Sequence, residues 1–133
     1  MSLGKILGKY EDKFYFVFRI LVGFLFFQHG AQKLFGWFGA KGTVPLVSLF
    51  GLAGVIEFFG GLLLIVGLFT RTLAIISAVD MLGAFFIVHI KQGWVPIMNN
   101  GELALLYFAA FLVLMVKGAG VCSVDKKLFK KKM

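Results

Sequence analysis

Cysteine occurs once in the 133 residues, as Cys122, so no disulfide can close within the chain and no Cys-x-x-Cys pair is present for thiol exchange. Charge is scarce too: Asp, Glu, Lys and Arg make up 15% of the sequence, against roughly 25% in soluble domains. Phosphate-binding glycine loops, a nucleophile elbow and the Glu-x-x-His pairs of dinuclear carboxylate sites are all missing. Nor is there the two-residue polar–apolar alternation of a membrane β-barrel. These gaps exclude a disulfide scaffold, a dithiol oxidoreductase, a P-loop nucleotide enzyme and a serine hydrolase.

What is abundant is apolar. Hydrophobic residues make up 60% of the chain, phenylalanine and glycine occur 17 times each, and the mean hydropathy is +0.95. A soluble domain this small has too little interior to hide that surface. Four apolar stretches, at 14–35, 44–69, 72–90 and 102–116, approach or exceed the roughly 20 residues that span a hydrocarbon core, the last being short. The loops between them are brief, so neighbours must run antiparallel. The expectation is an all-α, integral membrane four-helix up-down-up-down bundle in a single domain, 1–133, ending in a basic tail at 117–133. The first stretch exceeds a signal-peptide core and carries His29 and Lys33 late in its length, so no cleavable signal is expected.

A net charge of +8 taken alone suggests nucleic acid, but the basic residues flank the apolar runs. Eleven of the 14 Lys and Arg residues fall on the side holding both termini, which predicts cytoplasmic termini and contact with anionic headgroups, not nucleic acid. Trp37 and Trp94 fall on the far side, as interface anchors.

Ionisable groups inside spans are costly and point to function. Measured from the cytoplasmic helix ends, His29, Glu57, His89 and Glu102 come out at similar heights, about 18–25 Å up at helical rise. Each span thus contributes one His or Glu to a common layer. Gln28, Gln32 and Lys33 flank it, and Asn99 and Asn100 approach it from the last loop. Every member also has a plainer reading. Lys33 can snorkel, Glu57 can be a structural partner of His29 or Lys33, and Asn99-Asn-Gly-Glu102 has capping-box spacing. Asp80 lies lower and, at 100° per residue on a straight helix, points away from His89; it is read as a structural network with Arg19 or Arg71. Such a layer suits a quinone-like carrier, with His29 and Glu57 handling protons and phenylalanines as walls. A metal centre, bis-histidine haem and a proton relay through Glu57 and Asp80 are weaker readings.

Several ordered motifs resemble one family. The first span ends in His29-Gly-Ala-Gln-Lys33-Leu-Phe-Gly36. The second has Ile56-Glu57-Phe-Phe-Gly60-Gly61 and then Gly67-Leu-Phe-Thr70-Arg71. Val88-His89 closes the third, Asn100-Gly-Glu102-Leu opens the fourth, and the exit reads Gly118-Ala-Gly120-Val-Cys-Ser123-Val-Asp125. Together they resemble the DoxX/DoxD-like family of small four-span membrane proteins, with Lys117 and Cys122 departing from its usual tail. The resemblance implies a membrane subunit of a quinone-linked oxidoreductase, or a membrane component of redox defence associated with superoxide dismutase and a sulfurtransferase. More distant relatives imply a chaperone or cargo receptor without catalysis.

The resulting expectation is a redox-associated subunit in a prokaryotic plasma membrane that binds a quinone-like carrier, with no covalent cofactor, haem or metal. Gln28, His29, Gln32, Lys33, Glu57, His89, Asn99 and Glu102 form its candidate ligand site, with Lys33 and Glu102 positioning the headgroup. Soluble redox partners would dock on the cytoplasmic side. The glycine-lined creases could serve internal packing or contacts between copies. The alternatives are a membrane scaffold whose buried polar groups are structural, or a small transporter.

Overall fold

A computed structural model describes residues 1–129, and these contain helices and no strand. A short helix, α1 (Leu3–Gly8), precedes α2 (Glu11–Phe35) and α3 (Leu49–Val66). The next, α4 (Thr70–Gly83), runs on through a π-helical segment (Ala84–Val88) into a 3-10 turn (His89–Gln92). A single turn, α5 (Pro96–Asn99), leads to α6 (Glu102–Lys117), and α7 (Val124–Phe129) closes the described chain. Three helical stretches, Glu11–Phe35, Leu49–Val66 and Thr70–Gln92, are long and apolar enough to cross a membrane. At 16 residues, α6 reaches about 24 Å at helical rise, short of the hydrocarbon thickness.

Local chemistry sets the ends. The second apolar run enters its helix at Leu49 rather than at 44, because Pro45 interrupts it and Ser48 caps it, with the Ser48 hydroxyl accepting from the Gly51 amide at 3.0 Å. It stops at Val66, not 69, where Gly67 turns left-handed at φ 73°.

Glycine sets how α2 and α3 meet. A Cβ on Gly30 would lie 2.2 Å from the Phe58 amide nitrogen, and one on Gly61 would lie 2.4 Å from that of Phe27. Gly23 faces the Gly61 carbonyl in the same way. Gly23 and Gly30, seven residues apart, therefore run antiparallel against Gly61 and Gly54, backbone to backbone. Of the two roles left open for the glycine creases, this seam serves internal packing. The second pair is α4 on α6, and the two pairs join where the Phe26 ring packs 4.8 Å from Phe111 and 5.4 Å from Tyr107.

At the terminal end, Arg19 is fully buried and all five of its N–H donors meet backbone carbonyls. Leu64 and Ile65 accept at 3.1 and 3.2 Å, Ala119 and Val121 at 2.6 and 3.0 Å, and Cys122 at 3.0 Å. The guanidinium thus caps the C-terminus of α3 and pins the chain after α6. Asp125 completes the lock: its carboxylate accepts from the Phe69 and Thr70 amides at 2.7 and 2.9 Å and so caps α4. The Tyr15 hydroxyl donates to the Gly118 carbonyl nearby. The expected Arg19–Asp80 or Arg71–Asp80 pairing is therefore corrected. Arg19 spends its donors on carbonyls, Arg71 reaches the Met115 carbonyl at 3.5 Å, and among the described residues one Asp80 oxygen is buried without a hydrogen-bond partner.

Candidate functional site

The Gly30–Phe58 contact brings α2 and α3 close enough to lay Lys33 across α3. Its Cβ passes 3.1 Å from where a Cβ on Gly54 would sit, and its ammonium reaches one turn further, to Glu57. Both Glu57 oxygens accept from Lys33 Nζ, at 2.7 and 2.5 Å. Glu57 is only 2% exposed, so its charge depends on this partner, while the Lys33 side chain keeps access to the adjoining space. Between the two choices the sequence left for Glu57, the structure selects Lys33 over His29.

That space is a cavity of about 230 Å³ lined by His29, Lys33, Glu57, His89, Asn100 and Tyr107, with Met81, Ala84, Leu103 and Ala104 as its apolar wall. The His29 ring stands edge-on to Tyr107, centroids 5.8 Å apart. His89 enters at the end of a helix that does not stay α-helical. The π segment immediately before it widens the turn and shifts the phase of the residues that follow. Asp80 itself is absent from the lining. His89 Nδ1 lies 3.2 Å from the Asn99 carbonyl. A carbonyl only accepts, so the His89 Nδ1 donates to it.

The remaining expected residues serve elsewhere. Asn99 is fully buried but works behind the wall: its amide donates to the Gly93 carbonyl at 2.9 Å, and its side-chain oxygen accepts from Gly101 at 2.8 Å. This two-residue turn replaces the capping box, and Glu102, the first residue of α6, is exposed and outside the cavity lining. Gln32 donates to the Phe38 carbonyl at 3.1 Å, and Gln28 is half-buried outside the lining. Tyr107 was missed by sequence reasoning, although a hydroxyl in the otherwise apolar run of α6 was the available signal. Asp125 was visible only as part of a motif. Among the described residues, no group of three or more His, Cys, Asp or Glu side chains is placed to hold a metal ion.

Apolar helices fit to cross a bilayer, with a charged and imidazole-lined cavity between them, define a helical membrane protein. The DoxX family model matches residues 14–90, more than half of the chain, and the chain belongs to the DoxX family. It is 44% identical to an uncharacterised protein of Haemophilus influenzae over 94% of this chain and 98% of that one. It is 33% identical to "Inner membrane protein YqjF" of Escherichia coli, over 92% and 98% of the two chains. With the Bacillus subtilis protein named "Putative oxidoreductase CatD" it shares 31% identity over 86% of each. No solved structure matches.

Proposed function

We propose that this chain is a membrane subunit of a redox system that binds the head of a quinone-like carrier in the cavity between its helices. α6 then completes a four-helix bundle in a prokaryotic plasma membrane, with both termini cytoplasmic and a soluble redox protein docking on that side. One observation carries the reading: an apolar-walled space ringed by a Lys33–Glu57 ion pair, two imidazoles and the Tyr107 residue. The donor set fits a quinone, since an ammonium, a phenol and an imidazole N–H can each donate to a carbonyl oxygen. When bound, such a carrier takes up or releases two electrons and two protons. Lys33 and Tyr107 hold its oxygens, with Asn100 taking the place expected of Glu102. His29 and Glu57 pass protons, and the Asn99 carbonyl orients the His89 ring through its Nδ1. The relative named as an oxidoreductase and the inner-membrane relative support this reading.

The Lys33–Glu57 pair also favours a second reading, a non-enzymatic scaffold in which the same groups only hold the helices together. Quinone extracted from protein purified in native lipid separates the two. The carrier reading expects wild type to retain quinone and His29→Ala to lose it about tenfold or more, the effect of one missing hydrogen bond to a charged or strongly polarised group. Glu57→Gln should lose it too, with a melting temperature showing that the variant is folded. Equal quinone content in wild type, His29→Ala and lipid without protein would overturn the carrier reading and leave the scaffold.

A further inference from the structure

At the opposite end from the cavity, where α3 stops, a recess of about 700 Å³ is lined by Val66, Cys122, Ser123, Val124, Lys126 and Lys127. Val66 is the last residue of a helix fit to cross a membrane, so the recess sits at the membrane boundary. Its two valines offer apolar surface, and its two lysines offer charge beside it. Among the described residues neither lysine has an ion-pair partner. The adjacent acid, Asp125, is fully buried with both oxygens committed to the Phe69 and Thr70 amides. The backbone here is held in place beforehand. The Asp125 amide donates to the Gly67 carbonyl at 2.9 Å, Arg19 holds the Cys122 carbonyl, and the Ser123 hydroxyl accepts from the Lys126 amide at 3.2 Å. Lys126 and Lys127 are therefore presented from a fixed frame, which lowers the ordering cost of binding.

We infer that this recess binds one anionic phospholipid, its phosphate on Lys126 and Lys127 and the upper part of an acyl chain against Val66 and Val124. The inference is independent of the carrier cavity. A free phosphate would satisfy the lysines but leave the valines uncovered, whereas a lipid satisfies both. Two lysines near an anionic surface correspond to about a thirtyfold gain in affinity.

Cys122, the single cysteine, is exposed in the wall of the recess and gives a clean readout. The experiment measures how fast an uncharged maleimide labels Cys122 in full-length protein, in nanodiscs of phosphatidylcholine alone and of phosphatidylcholine with phosphatidylglycerol. The quantity read is the ratio of the two rates within each variant, so that any direct effect of a substitution on the thiol cancels. Wild type should label several-fold more slowly with phosphatidylglycerol. The variant K126Q/K127Q should lose that protection, while K130Q/K131Q/K132Q, which removes more charge from the tail beyond the described residues, should keep it. Inorganic phosphate added to the phosphatidylcholine discs should not protect. Equal rates in the two discs, equal loss of protection in the tail variant, or full protection by phosphate would each overturn the lipid site.

Discussion

The two ends of the helix assembly handle buried polarity in opposite ways. At the terminal end, five donors of Arg19 meet five carbonyls and two oxygens of Asp125 meet two amides, so the carboxylate and guanidinium are fully matched by backbone. At the cavity end, His29, Lys33, Glu57, His89, Asn100 and Tyr107 line a space; Lys33 and Glu57 pair with each other, and His89 and Asn100 each spend one ring or amide nitrogen on the Asn99 carbonyl and the Gln92 side chain. A π segment interrupts the helix at the cavity end, a feature that costs helix regularity and recurs at functional sites. Matched networks hold structure, while groups with spare hydrogen-bonding capacity around a void are placed for a ligand. The comparison is useful because substitution at each end should separate stability from binding.

The largest effect should come from Arg19→Ala. It would leave the terminal carbonyls of α3 and those of the 119–122 segment without their shared donor in a dry site. The expected loss is about 3–5 kcal/mol, as when one member of a buried charged network is removed. It should appear in detergent or nanodiscs as a large fall in melting temperature and as proteolysis beginning near the C-terminus. A loss below about 1 kcal/mol, the scale of a surface pair, would break the claim that this end is the structural one.

Gly30→Ala should come next, at about 1–3 kcal/mol for overpacking a close contact. The added methyl lies 2.2 Å from the Phe58 amide nitrogen, so α2 and α3 must separate. Because that contact also seats Lys33 over Glu57, the variant should lose quinone retention along with stability, while Arg19 and its carbonyls keep their resistance to proteolysis. Unchanged retention would mean that the seam does not position the ion pair.

Much of this architecture was legible in the sequence. Long apolar runs, brief loops and glycine-rich creases follow from burial and close packing alone, and three spans and the internal seam match them. Of the layer His29, Glu57, His89 and Glu102, the first three line the cavity together with the flanking Lys33, since an ionisable group in an apolar run is conspicuous whatever its partner. Partners were harder to read. Arg19 invited a carboxylate such as Asp80, yet it is matched by carbonyls, which every residue possesses and no sequence pattern marks. Helical phase set Asp80 and His89 on different sides, and only His89 lines the cavity; the π segment between them leaves no compositional signature within Ala84–Val88. Tyr107 lay hidden because a phenol among phenylalanines reads as one more aromatic wall.

Glu102 is where the sequence pattern and the structure diverge furthest, and Glu102→Gln should have the smallest effect. Its height placed it in the polar layer, and its spacing from Asn99 suggested a capping box. In the folded chain it is exposed at the start of α6, and Asn99 uses its side-chain oxygen on Gly101 instead. What remains for Glu102 is a favourable interaction of its carboxylate with the helix N-terminus, about 0.3–1 kcal/mol and lower in salt. The glutamine variant should therefore melt close to wild type and retain the same amount of quinone, while Glu57→Gln does not. Both substitutions remove one negative charge from the same half of the molecule, so a general electrostatic effect would move them together. If Glu102→Gln lost the carrier as completely as Glu57→Gln, the space enclosed by His29, Lys33 and Tyr107 would not be where the carrier sits.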